Sequence, residues 1–323
     1  MQQQSTTVAG IGIDVSGAKL DLAIRFSDLS YFDGSFENNP AGIKSLISVL
    51  KCQETAKAAP LVIESTGNCH LQSAIMIKQR GYLVKVINPL LTKKFQKSSV
   101  RNSKSDKIDA KRLADIACLE PNLIDFTANI DEIFSKKLSS YLAHLEKTKQ
   151  QMGSSLKQLI QSKELLKMDI DLQPIKKAMD KIDEQIEMIK SKLIDKLPDK
   201  AIKFAKDTKG LSEEKLAVLL ALIGDKTFEN RNQLTAFVGL DIALRQSGVW
   251  RGKQKLSKRG NPYAKKILYQ IAWGLKQHNQ LYRTYFDRLR LENKKHYNAA
   301  MAATARKFLR FLFAYYFQRT QPS

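Results

Sequence analysis

The sequence predicts an α/β domain, a two-helix middle segment and a mainly helical C-terminal part. Three observations carry this. The first 120 residues alternate short β-rich runs with helical patterns. Residues 138–193 repeat apolar side chains in steps of four and three, and the rest reads as helix with aromatic and basic side chains interleaved. The boundaries this sets are 1–128, 129–199 and 200–323. At 323 residues and 43% hydrophobic composition the chain can bury real cores, which excludes a disordered basic tail.

Each element follows from local signals. TVAGIGIDV is a β-rich run ending in an acid, SGAK a turn, and LDLAIRF an alternating second strand. YFDGSFE completes a meander. Asn39 and Pro40 start a helix through IKSLISVLK, with Pro in its favoured first turn. LVIE is a short buried strand, TGNCHLQSAIMIKQRG a helix stopped by Gly81, and YLVKVI a fifth strand closed by Asn88 and Pro89. The order β-β-β-α-β-α-β-α predicts a mixed sheet.

In the middle segment Leu138, Leu142, Leu145, Met152, Leu156 and Leu159 follow heptad steps, with Lys149 in one slot. After a break around 169–174 the pattern resumes at Ile175, Met179, Ile182, Ile186, Ile189 and Leu193. This predicts a coiled-coil hairpin or an oligomerising arm, giving a dimer or tetramer. After Pro198, LSEEKLAVLLALIG and NQLTAFVGL read as helices ending at Gly224 and near Gly239. A Gly-punctuated stretch, ALRQSGVWRGKQKLSKRGNP, then leads into a long basic helical region from Tyr263 to about Phe317.

The charge is unevenly placed. Lys and Arg outnumber Asp and Glu by 54 to 32, a formal net charge of +22. Residues 1–130 carry +4, residues 131–200 carry +2 and residues 201–323 carry +16; 201–241 is balanced, so the excess lies in 242–323. One segment holding most of the charge points to a phosphate-binding surface, with a solvated basic helix as the alternative. No apolar run approaches the ~20 residues that span a bilayer, and MQQQSTTVAG lacks the pattern of a secretory signal. Cys52, Cys69 and Cys118 are scattered, which fits a reducing cytoplasm and no disulfide or zinc framework. His70, His144, His278 and His296 are isolated.

Four acids occupy places that chemistry on phosphodiesters would need. Asp14 ends or centres the first strand, Glu64 closes LVIE, and Asp106 and Asp109 share one face where a helix begins in SKSDKIDAKRLADIA. A carboxylate after a buried apolar run needs a cation or donors, and carboxylate oxygens suit Mg²⁺, with Mn²⁺ as a substitute. Singly, each has a structural reading. Asp106 and Asp109 can cap a helix, Glu64 can cap the next one, and Asp14 can be the phosphate-loop acid of an actin-like ATPase. As an ordered set they favour a ribonuclease-H-like metal site.

At this point the residues match a family. The chain resembles the insertion-sequence transposases with a four-acid RuvC-like domain and a serine-bearing C-terminal domain, a family that includes bridge-RNA-guided recombinases and pilin-gene invertases. GIDVSGAKLDLAI, IESTGNC, GYLVKVINP and RNSKSDKIDAKRLAD carry the resemblance in the first half. LLALIGD, FVGL, SGVWRGK and LSKRGNPYAKKILY carry it in the second. The resemblance implies that Asp14, Glu64, Asp106 and Asp109 bind metal, and that Ser247 attacks double-stranded DNA to form a covalent phosphoserine link. It further implies a structured guide RNA, an oligomer that unites the two halves of the site, and a cytoplasmic bacterial protein associated with the nucleoid. Where the family often has a Gly-x-Gly turn near 210, this chain has Gly210 followed by Ser212 and Glu213, so 211–223 is expected to pack rather than grip phosphate.

Read without the family, Ser247 is a turn residue with no adjoining base. Its neighbours Arg245, Arg251, Lys253 and Lys255 suit a phosphate backbone. Lys258, Arg259 and Asn261 in LSKRGNP, and Arg101, Lys104 and Lys107 beside the acids, are further contact candidates. Tyr263, Tyr269, Trp273, Tyr282, Tyr285 and Phe286 either stack on unpaired bases or, at helical spacing, fill a core. Three functions stay open: a recombinase (transposase or invertase) using the serine, a junction nuclease using metal-activated water, and a non-catalytic nucleic-acid binder.

Overall fold

The computed structural model describes residues 6–65, 67–96, 106–127, 129–167, 169–224, 226–243, 246–247, 250–251, 255–256 and 260–317. For Lys94, Gln96, Asp106, Lys107 and the described residues from 242 to 256 it describes the backbone alone. The chain divides into two compact units, Met1–Asn129 and Ile130–Ser323.

The first unit is built on β1 (Val8–Val15), β2 (Lys19–Phe26), β3 (Tyr31–Glu37), β4 (Pro60–Glu64) and β5 (Leu83–Ile87), in the spatial order β3-β2-β1-β4-β5. The first three form an antiparallel meander, and β4 and β5 extend it in parallel with β1. Alternation sorts the side chains by face. Ile11, Ile13, Leu20, Leu22 and Ile63 share a core with residues of α1 (Pro40–Lys51) and α2 (Cys69–Lys78). Asn39 caps α1 as its sequence position predicts, its Oδ1 accepting from the Gly42 amide at 2.8 Å. One helix is added to the expected order. The chain after β5 turns directly into α3 (Pro89–Gln96), with Asn88 Oδ1 accepting from the Leu90 amide at 2.8 Å.

The opposite face is covered by α4 (Asp106–Leu119), which packs on Val62, Ile87 and Ala23. Its approach depends on two glycines of β1. A Cβ at Gly10 would stand 2.7 Å from the Ala114 carbonyl oxygen, and one at Gly12 would collide with the backbone of Ala110 and Ala114. The helix is also tied to the meander by charge. Arg25 meets Asp115 at 2.9 Å, Lys111 meets Asp33 at 2.8 Å, and the Tyr31 hydroxyl donates to Asp115.

The second unit opens with α5 (Ile130–Leu166) and α6 (Gln173–Ile194), packed as a hairpin. Its heptad residues divide by position. Leu142, Leu145, Ile186, Ile189 and Leu193 lie in the unit's main core, whereas Met152, Leu156, Leu159, Ile175 and Met179 are only half-buried. Lys149, the polar heptad slot, pairs with Asp183 across the hairpin. Next come α7 (Asp199–Asp207), α8 (Glu213–Ile223) and α9 (Arg231–Phe237). Residues 211–223 pack as expected: Leu216, Leu219, Leu222 and Ile223 are buried, and Gly210, at φ +90°, lies where a Cβ would stand 2.6 Å from the Gly274 carbonyl oxygen.

The long basic region is three helices, α10 (Pro262–His278), α11 (Gln280–Leu291) and α12 (Tyr297–Leu312), with a π-helical turn at Phe313–Phe317. Asn279 makes the first break. It ends α10 in an extended conformation and caps α11 through Oδ1, which accepts from the Leu281 amide at 3.1 Å. Burying Leu268, Ile271, Phe286, Phe308 and Leu309 in one core requires such folding back.

Candidate active site

The four acids converge through backbone register. Asp14 lies two residues beyond Gly12 and so on the same face of β1, against which α4 packs. In the parallel pair, Gly12 stands beside Val62 and Ile13 beside Ile63; one step further lie Asp14 and Glu64. Val62 packs on Leu113 and Ile116 of α4, so Glu64, two residues on, belongs to that face as well. Along α4, Gly10 lies against Ala114 and Ala117, and Gly12 against Ala110 and Leu113. Two strand residues advance about 6.6 Å and a helical turn about 5.4 Å, so Asp14 comes level with the first turn of α4. Asp106 and Asp109 stand in that turn.

Asp109 is partly exposed, and its carboxylate accepts from Arg112 Nη1 at 2.7 Å. A fifth acid joins the set. Asp21 of β2 lies directly across from Asp14 in the antiparallel register and is buried, with 7% exposure. The sequence reading passed over it, although the alternation in LDLAIRF is the signal: Leu20, Leu22 and Ile24 point to the α1–α2 core, leaving Asp21, Ala23 and Arg25 on the α4 side. Nearby, burial and the bond to Asp115 push the Tyr31 hydroxyl up to about 12.

Among the described residues no three His, Cys, Asp or Glu side chains are assembled as a metal centre, and the Asp106 side chain lies outside that description. The donor chemistry fits a divalent cation all the same. The set offers carboxylate oxygens only, the ligands that hard cations take, and acids gathered at one end of one face repel one another unless a cation intervenes.

Ser247 lies in a nested ribbon. β6 (Ile242–Ala243) pairs with β9 (Lys255–Leu256), and inside it β7 (Gln246–Ser247) pairs with β8 (Trp250–Arg251). Ser247 is opposite Trp250 at the inner end, and Arg251 and Lys255 are on the returning strands. Lys107 is in the first turn of α4. Arg101, Lys104, Arg245, Lys253, Lys258 and Arg259 lie outside the described residues. Asn261 caps α10, its Oδ1 accepting from the Tyr263 amide at 2.8 Å and from the Ala264 amide at 3.4 Å. Of the aromatics in this basic region, Tyr282 and Phe286 are buried and Trp273 is half-exposed.

A mixed five-stranded sheet in this order, with acids on β1, β4 and a covering helix, is compatible with a ribonuclease-H-like domain, and a helical unit with a basic C-terminal segment follows it. Two family models supply the class, an enzyme of DNA transposition or recombination. A transposase model of the DEDD IS110 type matches residues 11–163, and a model described as Transposase IS116/IS110/IS902 family matches residues 203–287. The chain belongs to this family of insertion-sequence transposases. No curated protein matches it. No helix among the described residues is long and apolar enough to cross a membrane.

Proposed function

We propose that this transposase cuts and rejoins double-stranded DNA through a covalent link on Ser247, with the scissile phosphate organised by Asp14, Glu64, Asp106 and Asp109. The observation that supports this best is the register convergence of the acids in a chain of the DEDD transposase family. These carboxylates would hold Mg²⁺, or Mn²⁺ in its place, which when bound supplies positive charge to the phosphate oxygens. Ser247 Oγ attacks phosphorus; the Oγ–P bond forms and the P–O3′ bond breaks. The serine proton passes to solvent, the leaving 3′ oxygen takes one up, and a 5′-phosphoserine remains. A 3′-hydroxyl from a second strand then attacks the same phosphorus, restoring a phosphodiester and freeing the serine.

Arg245, Arg251, Lys253, Lys255, Lys258, Arg259 and Asn261 would hold the backbone beside Ser247, and Arg101, Lys104 and Lys107 would do so beside the acids. The half-buried outer part of the α5–α6 hairpin supports a coiled-coil contact between copies, assembling a dimer or tetramer. A structured guide RNA would select the target; an invertase without a guide is the alternative within the family.

A nicked suicide substrate tests the chemistry. Wild-type protein is expected to be trapped on the DNA, and Ser247→Ala to give no covalent species and no strand transfer. Strand transfer by Ser247→Ala overturns the serine step, and cleavage to free 5′-phosphates without adduct indicates hydrolysis by water. Sequencing the nucleic acid that co-purifies separates a guided transposase from an invertase.

A further inference from the structure

Within the second unit, α5, α6, α8, α10 and α12 enclose an open cavity of about 600 Å³. Its aromatic lining is Trp273 and Tyr269 of α10 and Tyr297 of α12. Trp273 keeps 51% of its surface exposed and Tyr297 40%, whereas Phe204, Tyr282 and Phe308 of the same unit are buried in its core. The cavity's charges are largely spent on each other. Lys266 meets Glu146 at 2.6 Å, and Lys190 meets Glu214 at 3.1 Å. Two side-chain amides, Gln270 and Asn298, complete the polar lining. Lys215 in the lining, and Lys276, whose Nζ stands 5.6 Å from the Tyr297 ring centre, form no ion pair among the described residues.

We propose that this cavity is a stacking site for an unpaired nucleobase, with Trp273 as its platform. Two of the three lysines in the wall are already paired with its two carboxylates, which leaves little excess charge to attract a phosphate into its depth. Partly exposed aromatic rings beside amide donors and acceptors suit a neutral heteroaromatic ring with a hydrogen-bonding edge. The volume lies within the range of small-ligand sites and admits a base with its sugar. The partner is nucleic acid because α10 and α12 belong to residues 242–323, which carry 18 basic and 2 acidic side chains. Lys215 and Lys276 would then take the phosphates while the base leaves the strand. A base stacked inside a duplex cannot enter, so the ligand is single-stranded or flipped out. This inference rests on the reading that the second unit handles nucleic acid, but not on the Ser247 chemistry.

The test is binding by the full-length protein in EDTA, where no strand is cut. The chain has two tryptophans, so a Trp250→Phe background leaves Trp273 as the sole indole reporter. Short oligothymidylate and oligouridylate are expected to quench Trp273 fluorescence, and a duplex of equal length to leave it unchanged. Preference for one oligomer identifies DNA or RNA as the source of the base. By anisotropy with labelled oligomer, Trp273→Ala is expected to weaken single-strand binding about tenfold, Trp273→Phe to retain most of it, and neither to alter duplex binding. Equal quenching by duplex and single strand, or quenching by neither, overturns the proposal. So does a Trp273→Ala variant that binds single strands as the parent does. The suicide-substrate trap is independent, so a failure here leaves the covalent chemistry standing.

Discussion

Single residues set both the placement of the acids and the close packing of the first unit. Asp14 is flanked by Asp21 and Glu64 on neighbouring strands. Mg²⁺ is expected to raise the Tm of wild type and to leave that of Asp14→Asn unchanged; thermal melts with and without Mg²⁺ measure the difference. Gly12 makes the contact of α4 on β1 possible. Gly12→Ala should therefore destabilise the protein by about 1–3 kcal/mol or more, read as a lower urea midpoint. Tyr31 gives a pH signature. Its hydroxyl loses its proton near 10 in the unfolded chain but only at about 12 in the fold. The native state thus binds more protons between those values, and stability falls as pH rises from about 10 to 12. In Tyr31→Phe that slope should become shallower, the rest coming from the other tyrosines whose hydroxyls burial pushes up, Tyr82, Tyr263, Tyr269 and Tyr282.

Elements show where local signals suffice and where they stop. β1 to β5 and α1 fall where alternation and capping put them, because a strand's period and an Asn-Pro start are written within a few residues. The break at Asn279 is of another kind. Gln277, His278, Gln280 and Leu281 around it are ordinary helix residues, so nothing local demands a stop; the chain turns back because α11 and α12 share a core with α10. Asn279 then ends one helix and caps the next. Asn279→Ala is expected to cost about 1 kcal/mol, measured by chemical denaturation, with the α-helical circular dichroism of the folded protein unchanged. In the α5–α6 hairpin the heptad stripe runs along both helices, yet only Leu142, Leu145, Ile186, Ile189 and Leu193 of it are buried in the core.

For the whole molecule, the basic excess and the acids fall in different parts of the chain. The basic excess lies in residues 242–323, and the acids that converge lie in the first unit. EDTA is therefore expected to abolish strand cleavage while DNA binding persists and weakens steeply with added salt, the log–log slope reporting the phosphates neutralised. Filter-binding and cleavage assays on one preparation separate the two. Metal-dependent binding at all salt concentrations would contradict this division.

The sequence by itself determined the five strands and α1, α2 and α4 of the first unit, though not α3, and the basic C-terminal segment. Periodicity, caps and charge are properties of neighbouring residues, and they survive without knowledge of what packs where. Only the tertiary structure decided that Asp14 stands beside Glu64 and across from Asp21, since strand register joins residues about 50 and 7 apart in the chain. It also decided which aromatics are core and which are surface. Tyr282, Phe286 and Trp273 share one helical, basic context in sequence, and burial separates them because it depends on which helix covers each ring.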